Sequence, residues 1–262
     1  RAPEGSLNNR SGMRLLLWLG AVFPAVVLLA LLLAALPQMK PLPATAEDMT
    51  IAVEGRQFWW RMTYDDKGGQ KVTSANELRL PAGRTVELLL TAGDVLHSFW
   101  VPGLAGKMDM IPGRTNRLVV RAEEPGVYRG QCTEFCGLGH AVMAFDVIVM
   151  EPAAFDRWLA ALALPADPRA GEMAGARLFA QQGCGGCHRV AGTEADGTIG
   201  PNLTHFGART SFAAGILPQD RETIARFIRN PQRYKPGATM PAFVGTTPDE
   251  ALAIADYLKA LN

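Results

Sequence analysis

Cys132-Thr133-Glu134-Phe135-Cys136-Gly137-Leu138-Gly139-His140-Ala141-Val142-Met143 sets two thiols, an imidazole and a thioether within twelve residues. Thiolate and thioether are soft ligands that favour copper, and imidazole suits copper as well. The stretch reads as one loop, with β-prone residues on either side at Val127-Tyr128 and Ala144–Val149. A second cluster, Cys184-Gly185-Gly186-Cys187-His188, has the spacing of covalent haem attachment. The chain has four cysteines in 262 residues, and all four fall in these two motifs. Two disulfides in an oxidising compartment would also use four cysteines, but they leave His140, Met143 and His188 without a role. One chain with both clusters reads as a relay for single electrons.

A further imidazole lies upstream, in Asp94-Val95-Leu96-His97-Ser98-Phe99-Trp100-Val101-Pro102. A β sandwich can bring that segment beside the cysteine loop. Two imidazoles, two thiolates and a thioether would then converge. A Cys2His2 set also satisfies tetrahedral zinc, although zinc has no need of Met143. A single blue copper needs one Cys, two His and a weak Met. A pair of cysteines permits two coppers to be bridged.

At the second cluster, Cys184 and Cys187 are expected to form thioethers to haem, with His188 binding the iron. Electron transfer wants a second axial ligand, and a Met/His pair raises the potential. Met240, in Pro236-Gly237-Ala238-Thr239-Met240-Pro241, sits on a Pro-flanked loop suited to supply it. His205 reads as a packing or surface histidine.

Met13–Leu36 is almost wholly apolar, with Arg14 its only charge. About 20 apolar residues cross a bilayer as a helix, and Pro24 within the run is expected to kink it. Arg1 and Arg10 precede the run and Arg14 stands at its edge, whereas Lys40, then Glu47 and Asp48 lie beyond it. That bias puts the N-terminus in the cytoplasm and the remainder outside. The Pro-rich stretch that follows reads as an extended linker. From Met49 to Val149, short β-prone runs alternate with Gly/Pro turns, the pattern of an all-β sandwich or barrel. Beyond a helix at Ala153–Leu164 the apolar spacing turns helical. Thr247 and Pro248 make a cap and first position for the last helix. The formal charge of +1 lacks the basic excess that nucleic-acid binding would want.

Three segments together resemble subunit II of haem-copper cytochrome c oxidases. They are His97–Pro102, Lys107-Met108-Asp109-Met110-Ile111-Pro112-Gly113-Arg114-Thr115-Asn116, and Cys132–Met143. The haem c part makes the chain similar to the caa-type variant. The resemblance implies a cupredoxin fold holding binuclear copper, CuA. Cys132 and Cys136 would bridge the ions, and His97 and His140 would bind one each. Met143 and the Glu134 carbonyl would be weak axial ligands, with the Glu134 side chain reaching magnesium at the subunit I interface. Phe58, Trp59 and Trp60 stand where the family carries electron-path aromatics, with Phe58 replacing the usual first tryptophan. The implied domains are a cytoplasmic-side segment (1–12), a transmembrane helix (13–37), a linker (38–48), a cupredoxin CuA domain (49–152), a linker helix (153–168) and an all-α class I cytochrome c domain (169–262). Implied partners are subunit I and subunit III of an oxidase, membrane lipid, and cytochrome c or a membrane cytochrome as donor. The implied place is the bacterial inner membrane, with both large domains periplasmic. The family usually carries two membrane helices, and single-helix relatives also exist, so the resemblance leaves open whether a first helix precedes Arg1. A CuA-type nitric oxide reductase subunit and a free-standing tethered carrier remain alternatives from the ligands alone.

Overall fold

The computed structural model describes residues 9–39, 43, 49–65, 69 and 71–262. The expected cytoplasmic-side segment lies outside these up to residue 8. The expected 38–48 linker lies outside them except at 38, 39 and 43. The chain divides into two compact units, Arg1–Pro43 and Ala44–Asn262.

The first unit is helical: α1 (Asn9–Leu17), a π-helical turn (Trp18–Val22) and α2 (Phe23–Ala35). Arg10–Ala35 is long and apolar enough to cross a membrane. Among the described residues the helix already includes Asn9–Gly12, ahead of the apolar run, because adding a residue to an existing helix needs no new nucleus. Just before Pro24, where a kink is expected, the helix widens into the π turn. Proline lacks an N–H and its ring crowds the carbonyl of the preceding turn. A wider turn accommodates both.

The second unit begins with a sandwich. Its first sheet runs β3 (Lys71–Ala75), β2 (Trp59–Asp65), β1 (Met49–Arg56), β5 (Thr85–Ala92), β8 (Asn116–Arg121). Its second runs β4 (Glu77–Pro81), β10 (Ala144–Met150), β9 (Gly126–Cys132), β6 (His97–Trp100), β7 (Met108–Met110). Alternation along the strands sends every second residue inward. Ile51 and Val53 of β1 lie beside Leu88 and Leu90 of the parallel β5, and all four are buried. Phe145 and Val147 of β10 join them from the other sheet. Helix α3 (Pro152–Leu162) adds Phe155 and Leu159 to that same core.

The remainder is helical, with α4 (Ala174–Gln181), α5 (Arg221–Arg229) and α6 (Pro248–Ala260) around a second core. A small two-stranded ladder, β11 (Ser211–Phe212) with β12 (Leu217–Pro218), lies between α4 and α5 in the chain. Asp220 caps α5 by accepting from the Thr223 N–H at 2.8 Å. Thr247 and Glu250 close a capping box on α6, with Pro248 in its first turn. Both caps satisfy N–H groups that a helix start leaves open.

Sandwich and helical domain are bonded to each other. Glu77 Oε2 accepts from Thr210 N at 3.1 Å and from its hydroxyl at 3.0 Å. Ser211 Oγ donates to Asp146 Oδ2, Asn202 Nδ2 to Thr73 Oγ1, and Arg129 to the Gly215 carbonyl.

Candidate metal centre and haem cavity

Strand β9 ends at Cys132 and β10 begins at Ala144, so the intervening loop is pinned at both ends. The Cys132 N–H donates to the Met143 carbonyl at 2.9 Å, closing the loop into a ring. A 3-10 turn at His140–Val142 directs His140 back toward the cysteines. Strand β6 pairs with β9 and sets His97 beside the same loop, since Phe99 pairs with Cys132.

Cys132 and Cys136 Sγ lie 3.9 Å apart, well beyond disulfide length, and all four cysteines are free. His97 Nδ1 is 3.8 Å from Cys132 Sγ, and His140 Nδ1 is 3.8 Å from Cys136 Sγ. Met143 Sδ is 3.8 Å from Cys136 Sγ. The Glu134 carbonyl is 3.2 Å from Cys132 Sγ. Imidazole thus flanks each sulfur separately. Cys132, Cys136, Met143 and His97 are buried, and His140 is half-buried.

The electrostatics ask for a cation. The Cys132 thiol is pulled well below its ordinary range, first by its hydrogen bond with Cys136. The same bond, with burial, pushes the Cys136 thiol up. One sulfur ionises and its charge holds the proton on the other. A bound cation lifts that constraint by deprotonating coordinating thiols outright. Burial opposes a charged His97, but its hydrogen bonds with Cys132 and Asp94 outweigh burial and raise its pKa. Two thiolate, two imidazole and one thioether donors form a soft set that fits copper.

Asp94 was not foreseen. Its Oδ1 sits 2.8 Å from His97 Nε2, which turns Nδ1 to the sulfurs, and its Oδ2 accepts from Gln57 N at 2.7 Å. A carboxylate three residues before a candidate ligand was the available signal.

The haem motif forms on a 3-10 turn, Cys184–Gly186, just after α4. Gly183 takes the left-handed conformation (φ 71°) that lets the chain turn out of the helix. The His188 N–H donates to the Cys184 carbonyl at 3.0 Å, which gathers Cys184, Cys187 and His188. These three and Met240 all line one cavity of about 350 Å³. Most of its other lining is apolar, including Leu203, Phe206, Phe227 and Ile228. His188 Nδ1 lies 2.8 Å from the Pro201 carbonyl, so Nδ1 donates and Nε2 keeps its lone pair. Burial lowers the His188 pKa further, favouring the neutral ligand form, and pushes the Cys184 thiol up to about 11. Arg209, also on the wall, is pushed down to about 10 by burial. Its guanidinium donates to the Asn202 carbonyl, and the same cation suits an anionic group on the occupant. Haem, with two carboxylates, fits. His205 is not among the lining residues, and its Nε2 meets the Leu164 carbonyl.

Gln57, Phe58 and Trp59 line the same cavity from the sandwich side. The Gln57 amide also donates to the Cys136 carbonyl at 2.6 Å. Trp60 points into the sandwich core, 4.8 Å from Phe145 and 6.3 Å from His97 between ring centroids. Lys235, a buried lysine on the loop leading to Met240, donates to the Phe58 carbonyl. Its burial pushes the ammonium down to about 7. On the loop Lys107–Asn116, Asp109 accepts from Ser98 Oγ at 2.8 Å and Lys107 at 3.3 Å. Glu134 is half-buried.

Residues 67–151 match the family described as cytochrome c oxidase subunit II, periplasmic domain, and residues 172–262 match cytochrome c. Cytochrome c oxidase subunit 2 of Bacillus subtilis (strain 168) is 33% identical over 254 residues, covering 90% of this chain and 69% of that relative. The chain belongs to the cytochrome c oxidase subunit 2 family. Its relative from Alkalihalophilus pseudofirmus is 40% identical over 215 residues, or 81% of this chain, and the chain spans 61% of that relative's length. The solved periplasmic domain of subunit II of cytochrome oxidase from Bradyrhizobium japonicum is 31% identical, with a TM-score of 0.43. It covers 46% of this chain and 96% of its own. In the family's terms the sandwich is a cupredoxin-like domain for copper, and the helical part a cytochrome c domain for haem.

Proposed function

We propose that this chain is the electron-entry subunit of a haem-copper terminal oxidase. It takes electrons from a donor at haem c, passes them to binuclear copper and on to the oxygen-reducing centre of subunit I. The supporting observation is a shared wall: Gln57–Trp59 bounds the haem cavity, and the Gln57 amide reaches the Cys136 carbonyl. Cys132, Cys136, His97 and His140 would hold the two coppers, with Met143 and the Glu134 carbonyl as weaker donors. Bound copper supplies one-electron redox chemistry shared by two ions, and haem supplies the preceding one-electron carrier. The protein's part is to hold the donors in place and keep water away, which buried sulfurs on a loop closed at both ends do. Cys184 and Cys187 anchor the haem, and His188 and Met240 take its iron. Phe58 and Trp59 on the cavity wall and Trp60 beside His97 would be the electron-path aromatics.

The helix Arg10–Ala35 anchors the chain in the bacterial inner membrane, with the cupredoxin (49–152) and cytochrome (169–262) domains outside. Phe135 and Leu138 on the copper loop are 74% and 79% exposed, which suits coverage by subunit I. In this reading subunit III completes the assembly, and the Glu134 side chain reaches magnesium at that interface. The donor is cytochrome c or a membrane cytochrome.

Elemental analysis of the purified chain should find two coppers. Paramagnetic resonance should find one unpaired electron shared between them, and haem should survive denaturing electrophoresis. Stoichiometric zinc in place of copper ends the proposal.

A further inference from the structure

We infer that Lys235 and Gln57 are positioning residues that clamp Phe58 between the haem cavity and the Cys136 peptide, setting the contact through which electrons cross between the domains.

Three observations carry this. Lys235, buried in the cytochrome domain, donates to the Phe58 carbonyl of the sandwich. The Gln57 amide donates to the Cys136 carbonyl at 2.6 Å, so the adjacent residue is bonded to the copper loop. The Phe58 ring is 3% exposed and fills the space between. A side chain at Gly139 of the copper loop would fall on that ring, and one at Gly237 of the cytochrome loop would stand 3.2 Å from it. The segment is therefore bonded at Gln57 to one domain and at Phe58 to the other. The remaining interdomain bonds, such as Ser211 to Asp146, lie elsewhere on the interface and touch neither residue.

Burying a lysine is costly unless its ammonium is bonded, so Lys235 is a poor choice for mere adhesion. The buried amine, held within hydrogen-bond reach of the Phe58 carbonyl, ties that peptide to the cytochrome domain. Each crossing moves one electron. The haem iron goes from ferrous to ferric and the copper pair gains one electron, with no bond broken and no proton moved.

The inference rests on the electron-entry reading, and one experiment separates them. In the full chain loaded with haem and copper, a photoexcited ruthenium complex reduces the haem, and equilibration with copper is followed optically. Lys235→Met and Gln57→Leu should each slow equilibration severalfold, because the Phe58 contact is loosened. Lys235→Arg should restore the rate, Ser211→Ala should leave it unchanged, and both midpoint potentials should stay put. No equilibration in the unsubstituted chain overturns the electron-entry reading itself. Equilibration unaffected by Lys235→Met and Gln57→Leu overturns only the clamp, as does equal slowing by Ser211→Ala. Amide exchange over residues 56–60 of the full chain gives a second readout. It should quicken in Lys235→Met but not in Lys235→Arg, and unchanged exchange in both counts against the clamp even if haem loading fails.

Discussion

Asp94 receives both His97 Nε2 and the Gln57 N–H, so one carboxylate orients a candidate copper donor and the start of the interdomain segment. Carboxylates behind a ligating histidine fix its ring and raise its basicity. Asp94→Ala should weaken copper binding by about 10–100-fold, measured by competition with a chelator. At the other centre, Met240→Ala should leave haem attached while changing its spin state and lowering its potential, since a Met/His pair raises it. An unchanged spectrum would remove Met240 as a ligand. The donors were legible because soft side chains crowded into twelve residues have few other uses. Asp94, Gln57 and Lys235 were not, because an acid, an amide and a lysine are ordinary surface residues until packing buries or aims them.

Elements carry the donors by simple local rules. Helix α5 starts at Asp220 because its carboxylate accepts from the Thr223 N–H, and that bond holds its pKa below the ordinary carboxylate range. Asp220→Ala should cost about 1 kcal/mol, read by denaturant unfolding. The sign follows from the depressed pKa: the cap's contribution is present above the usual carboxylate range and lost on acidification through it. The difference between Asp220→Ala and the unsubstituted chain should therefore close in acid, and a pH-independent difference would refute the cap. Long strands, the Thr247 cap and the membrane run were readable from periodicity and capping residues. Strands β3, β6 and β7 were not marked, being only five, four and three residues long. Short strands owe their place to partners across the sheet more than to their own pattern.

In the whole molecule, the cupredoxin and cytochrome domains share one compact unit. Glu77 is central to that union. It is buried, pairs with Arg79 at 2.6 Å and accepts twice from Thr210. Removing one partner of a buried pair leaves the other uncompensated, at roughly 3–5 kcal/mol. Glu77→Ala should separate the unfolding of the two domains in calorimetry, and a single unaltered transition would show that Glu77 does not join them. The sandwich core at Phe145 and the helical core at Ile254 are otherwise distinct, so each domain has its own reason to fold.

Fold class, the two donor clusters and the membrane run were written in the chain itself, because hydrophobic period and ligand chemistry are local properties that neighbours in sequence express. The way Lys235 meets Phe58, and Gln57 meets Cys136, came only with the folded whole. Those pairs are 177 and 79 residues apart. No local pattern encodes a contact that exists only after two independently built cores have met.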